Sequence, residues 1–216
     1  MFPNIFYMIF MCSMVLSSCL RDRKVAHQLT GEGQDSRVEA APPSQGQVKR
    51  KRSSLLKNSL AKILALDPKG MCLELGRLPC ADVVHKVSLG GMDAYGNAQY
   101  RYPEHAAATS AMSLDRLVLS ACSQRAGLDL LNPARAVIFK DVELSVDGRL
   151  MKTEAVAQAI QTLYQRAFLR NPTEGEVQSL LDFYEAVYAE QSIGAARNWM
   201  VLSCYSVLTS LEAGFY

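Results

Sequence analysis

The chain has 216 residues, 49% hydrophobic and 20% charged, enough for one globular domain with an addition at one end. A formal net charge of +2 hides an uneven distribution: residues 1–19 hold no Lys, Arg, Asp or Glu, residues 20–53 hold eight basic against four acidic side chains, and the rest holds 15 against 17. A body with a slight acidic excess lacks the basic footprint of a nucleic-acid binder, which excludes nucleic acid as a partner on electrostatic grounds.

The apolar start, MFPNIFYMIFMCSMVLSSC, only just reaches the roughly 20 residues a membrane-spanning helix requires, and it contains Pro3, Asn4 and three serines. Its core from Ile5 to Leu16, followed by small residues, fits a cleavable secretion signal. A plain signal and an uncleaved anchor are the alternatives to a third reading. Leu16-Ser17-Ser18-Cys19 resembles the bacterial lipobox, in which a cysteine after small residues receives a diacylglycerol thioether and becomes the new N-terminus. The resemblance implies a signal peptide over 1–18, lipidation with palmitate-type chains at Cys19, and a membrane partner reached through that anchor. In Gram-negative lipoproteins of this kind an Asp after the cysteine favours the inner membrane. Leu20 stands there instead, which implies the periplasmic face of the outer membrane, with secretion or the inner membrane as alternatives. Acyl chains contribute about 0.8 kcal/mol per buried methylene, so two or three of them hold a protein stably.

Residues 19–53 read as a lipidated start and disordered tether, rich in Gln, Ser, Gly, Pro and charge, with too few large apolar groups to offset ordering. Such a chain spans about 30–35 Å on average. It ends in Lys49-Arg50-Lys51-Arg52, a solvated run suited to an anionic surface.

From 54 to 216 the pattern predicts a mainly α domain, a bundle of five or six helices with a long irregular loop and at most a small β-hairpin. Leu56, Leu60, Ile63 and Leu64 mark a helix ending near Asp67-Pro68. Ser113 is the predicted N-cap of a second, with Leu117, Val118, Ala121 and Cys122 inside and Gly127 at its end. Ala136–Phe139 and Val142–Val146, before Asp147-Gly148, are the best strand candidates. Thr153 caps a third helix, and Thr173-Glu174-Gly175-Glu176 is a capping box opening a fourth. The last segment, from Ala195, is apolar almost all round and is the expected central helix.

Of six cysteines, Cys12 falls in the signal and Cys19 at the lipid site, leaving Cys72, Cys80, Cys122 and Cys204. Four cysteines in an exported domain suggest two disulfides. Proximity favours Cys72 with Cys80 and so Cys122 with Cys204; free buried thiols are the alternative. No C-x-x-C is present to suggest zinc.

The stretch from 84 to 110 looks least like scaffold, with His85, Asp93, Tyr95, Tyr100, Tyr102, Glu104 and His105 among three glycines and a proline. Three roles are open: a loop packed by its own tyrosines, a partner- or glycan-binding surface, or Asp93, Glu104 and His105 as acid-base or metal groups. No metal ligand set, haem motif C-x-x-C-H or nucleophile elbow G-x-S-x-G is found, so no catalytic residue, metal or cofactor is assigned.

Finally, LYQRAFLRNPTEGEVQSLLDFY followed by NWMVLSCYSVLTSLEAGFY resembles helical modules of exported, cytochrome-associated bacterial proteins, with their L-Y-x-R-x-x-x-R-x-P-T-x-x-E helix pair. The resemblance covers the last 60 or so residues and implies a helical fold; Arg166, Arg170 and Glu176 read as helix surface and cap. The functional expectation is a membrane-anchored, non-catalytic lipoprotein domain that meets a protein or cell-wall partner. The alternative is a periplasmic enzyme or redox accessory using the 84–110 loop.

Overall fold

The computed structural model describes residues 51–103 and 108–214; Cys19, the tether as far as residue 50, Glu104 and His105 lie outside the described residues. The domain is mainly α with one small hairpin. Its elements in chain order are α1 (Ser53–Leu64), β1 (Leu73–Glu74), β2 (Leu78–Pro79), a π-helical turn (Cys80–Val84), α2 (Ala108–Leu131), a 3-10 turn (Pro133–Arg135), α3 (Glu154–Phe168), α4 (Glu174–Glu190), α5 (Ala195–Leu208) and α6 (Leu211–Gly214). No helix among the described residues is long and apolar enough to cross a membrane.

Helix α5 is the axis of the bundle, packed on α2, α3, α4 and α6. Its composition dictates this place: Ala195, Ala196, Trp199, Met200, Cys204, Val207 and Leu208 are all buried, more than one stripe can account for. Trp199 is wholly enclosed, its indole N–H donating to the Leu180 carbonyl at 2.7 Å, with Phe139 edge-on at 6.2 Å. Its polar tip is thereby satisfied at no loss of apolar burial. A disulfide from Cys122 on α2 to Cys204 crosses the centre, and a second joins Cys72 to Cys80 at the hairpin base.

Two arginines stop α1. Its chain turns left-handed at Ala65, and the carbonyls left over at its end are taken by Arg166 (Lys62 and Ile63) and by Arg125 (Leu64). Lys51 donates to the Ala213 carbonyl, and the Arg52 guanidinium lies 3.7 Å from the centre of the Tyr102 ring, so the end of the basic run already belongs to the folded body.

Three sequence expectations are corrected here. Helix α2 begins at Ala108 rather than at Ser113, whose hydroxyl instead donates back to the Thr109 carbonyl inside the helix. Nor does it end at Gly127. Its buried face continues through Ala126 and Asp129, which outweighs the roughly 1 kcal/mol a helical glycine costs. Ala136–Phe139 is not a strand, because the Asp129 carboxylate accepts the backbone N–H groups of Val137, Ile138 and Phe139 at 2.9–3.0 Å and is paired with Arg125 at 2.7 Å. An amide saturated by a buried carboxylate has nothing left for a ladder. The Asp147-Gly148 turn forms, but pairing stops at one bridge between Leu144 and Leu150. The hairpin lies earlier, at 73–79.

Helix α4 starts as its sequence dictates: Thr173 Oγ1 accepts the Glu176 amide at 3.2 Å and the Glu176 carboxylate accepts the Thr173 amide at 2.7 Å.

Candidate functional site

The hairpin turns through Leu75 and Gly76, both at positive φ (51° and 72°), and is closed by the Arg77 amide donating to the Glu74 carbonyl at 3.1 Å. Two left-handed residues are what a tight antiparallel turn demands, and glycine meets that demand without strain. Leu75 does not. A bulky residue there stores strain, and its side chain is 83% exposed. Pairing of Leu73 with Pro79 and Glu74 with Leu78 places Cys72 opposite Cys80, where the disulfide closes the base.

Cys80 opens the π-helical turn, whose 2.7 Å bond from the His85 amide to the Cys80 carbonyl swings His85 back over the hairpin. There His85 Nε2 lies 3.2 Å from Glu74 Oε1. Arg116, projecting from α2, grips the same carboxylate with Nε at 2.9 Å and Nη2 at 3.1 Å. Arg116 first, then His85, hold the Glu74 carboxyl below its usual range. The hairpin, the π-helical turn and the distant helix α2 are thus locked by one acid.

Around this cluster opens a cleft of about 1030 Å³. One wall is the hairpin and π turn, with Leu75, Leu78, Val84 and His85; the other is the start of α2, with Ser110, Met112, Ser113 and Arg116. Hydroxyls stitch the floor: Ser88 and Ser113 are 2.7 Å apart, and Ser110 donates to the Ser88 carbonyl at 2.6 Å. Gly91 is required by close approach, since a Cβ there would stand 2.7 Å from both the Lys86 carbonyl oxygen and Ser53 Oγ. The rim is apolar and open to solvent, with Met112 72% and Val84 45% exposed beside Leu75.

His85 is the residue of the 84–110 group that joins this cluster. Asp93 holds a turn of its own, accepting the Gly96 amide at 3.1 Å and Asn97 Nδ2 at 2.8 Å, with a bridge to Gln99 closing the loop. Both its oxygens are therefore engaged within its own turn. The expectation of a loop packed by its tyrosines is corrected: Tyr95 is fully exposed and Tyr100 72% exposed, and Tyr102 lies under Arg52. Sequence reading missed Glu74, Leu75, Met112 and Arg116. Their spacing carries no motif, and only Leu75 before Gly76 in a turn gave a local sign.

The charged residues of the C-terminal resemblance meet elsewhere. Arg170 donates to both Glu176 oxygens (2.8 and 3.0 Å) and both Glu212 oxygens (2.9 and 3.1 Å), clamping α6 to the start of α4, above the rings of Tyr164 and Phe168. Arg170 first, then the Thr173 amide, draw the Glu176 carboxyl down to about 2. This is a structural clamp, and its arginine is fully spent.

Among the described residues one grouping has metal-type donors close together: Cys72, Glu74 and Cys80, with the two sulfurs joined as a disulfide. Comparison with known proteins adds no identity: no family model matches, and neither a curated protein nor a solved structure matches the chain.

Proposed function

We propose that the protein is an exported lipoprotein, acylated at Cys19 and held at the periplasmic face of the outer membrane, whose helical body binds a protein or cell-wall partner through the 1030 Å³ cleft. The observation that carries the binding role is the display of apolar side chains at the cleft mouth, led by Leu75 on strained backbone. Exposed apolar groups gathered at one rim, next to an internally balanced Glu–His–Arg cluster, suit a contact surface better than a solvated face. The two disulfides support an oxidising address.

The address is tested by feeding cells an alkynyl palmitate analogue; label on the wild type and none on Cys19→Ala is expected, and label on both sinks lipidation at that cysteine. Binding is tested by photo-cross-linkable residues placed at 75, 112 and, as a control on another exposed turn, 146. Adducts from 75 and 112 but not from 146 are expected, and equal adducts from all three remove the cleft from the proposal.

A further inference from the structure

We propose that the hairpin base is also a latent zinc-type metal site, released when the Cys72–Cys80 disulfide is reduced, with the two thiolates, the Glu74 carboxylate and His85 as donors. The sequence spacing of these residues resembles no finger or ribbon, but the fold supplies what spacing does not. Strand register sets Cys72 opposite Cys80, and the π-helical turn returns His85 to the side of Glu74. Both sulfurs and a Glu74 oxygen lie within 4.8 Å of one another. Cys80 Sγ is 3.9 Å from Glu74 Oε1, and His85 Nε2 is 3.2 Å from that oxygen.

Those separations suit tetrahedral zinc. With Zn–S near 2.3 Å and Zn–N or Zn–O near 2.0–2.1 Å, neighbouring ligand atoms stand about 3.3–3.8 Å apart. Three movements complete the set: the sulfurs part once their bond is gone, Arg116 Nε releases Glu74 Oε1, and His85, which stands outside the 4.8 Å grouping, swings in from beside that oxygen. Access exists from both sides: Cys72 lines one cavity of about 590 Å³, Glu74 and His85 line the cleft, and Arg116 borders both. The charges also close. Two thiolates and a carboxylate face a dication and Arg116, which gives up its Nε bond to Oε1 and keeps Oε2 through Nη2 while Oε1 turns to the metal.

The chemistry needs a thiol or dithiol reductant. It passes two electrons and two protons to the disulfide, breaking the S–S bond and leaving two thiols, and is itself oxidised to a disulfide; the cation then expels both thiol protons. Disulfide and metal are alternative closures of one hairpin, so the cleft wall keeps its shape in either redox state. The Cys122–Cys204 pair belongs to no such grouping among the described residues, which makes it an internal control.

Reduced wild type and a reduced Cys72→Ser/Cys80→Ser variant, both full-length, are titrated with Co²⁺ as a spectroscopic probe and then with Zn²⁺. One equivalent of Co²⁺ with thiolate charge-transfer absorption, displaced by Zn²⁺, is expected for reduced wild type alone, together with a raised Tm on adding zinc. Oxidised wild type should take up none. Equal uptake by the serine variant, or uptake without a rise in Tm, overturns the proposal, because the metal then sits on unfolded chain or on the other pair. Glu74→Gln should weaken Zn²⁺ at least tenfold with the fold intact by circular dichroism; unchanged affinity removes the carboxylate from the site.

Discussion

The two disulfides close regions of opposite character. Around Cys122–Cys204, helices α2 and α5 bury Leu117, Val118, Ala121, Trp199, Met200 and Leu208, and the Asp129 carboxylate is matched by three amides and Arg125. Around Cys72–Cys80, a two-residue ladder and one π turn carry a cluster whose charges face a cleft, under a rim of exposed Leu75, Val84 and Met112. The first region spends its charged residues on internal pairing; the second turns its Glu74, His85 and Arg116 towards a cleft and leans on α2 through Arg116. Binding surfaces are commonly drawn from such thinly packed elements on a rigid base.

Removing each staple is the strongest way to break this contrast. In a chain-entropy treatment the bridge with a sequence separation of 82 contributes about 4–5 kcal/mol, and the one with a separation of 8 about 2–3 kcal/mol. Cys122→Ala/Cys204→Ala should therefore lower the denaturant midpoint of the whole domain by the larger amount. Next, Asp129→Ala strands Arg125 and three amides, two of them buried, and should cost about 3–5 kcal/mol, read by the same unfolding curves. Cys72→Ala/Cys80→Ala should cost less globally and show itself locally, as faster amide exchange over residues 71–91 with α2 and α5 still protected. Uniform loss of protection would show that the two regions are one cooperative unit.

A smaller effect is expected from pH. The folded Glu176 carboxyl, at about 2, lies below its ordinary value of 4.5, so its clamp is fully present above the ordinary value and is lost as pH falls through the folded one. Urea midpoints should drop across that acid window in wild type and less steeply in Arg170→Gln. Smallest of all, Leu75→Gly relieves a left-handed leucine and should be neutral or stabilising by under about 1 kcal/mol, while weakening adducts from a cross-linker at 112. A large destabilisation would mean that Leu75 packs and does not merely display.

Much of the helical region was legible because its signals are local or periodic. The Thr173–Glu176 box is four residues long, the buried stripe of α3 repeats at helical spacing, and the all-round apolarity of α5 announces a central position. Ser113 misled because a serine ahead of an apolar stripe looks like a cap, whereas its hydroxyl is used for the helix interior and for Ser88. Ala136–Phe139 misled because apolar run length cannot reveal a carboxylate waiting on the preceding helix. The cleft was only partly visible: His85 was marked, but its acid lies 11 residues upstream and the arginine that shares it 42 residues downstream of that acid.

The sequence by itself determined a mainly helical domain, the capping box, the central helix and a cysteine inventory with few plausible pairings. These follow from short-range sterics and hydrophobic period. Only the tertiary structure decided that Glu74, His85 and Arg116 meet, that Asp129 organises the 137–139 loop, and that Leu75 and Met112 border one cleft. Those contacts depend on a left-handed turn, a π-helical turn and the docking of α2, each fixing directions in space that no spacing along the chain encodes.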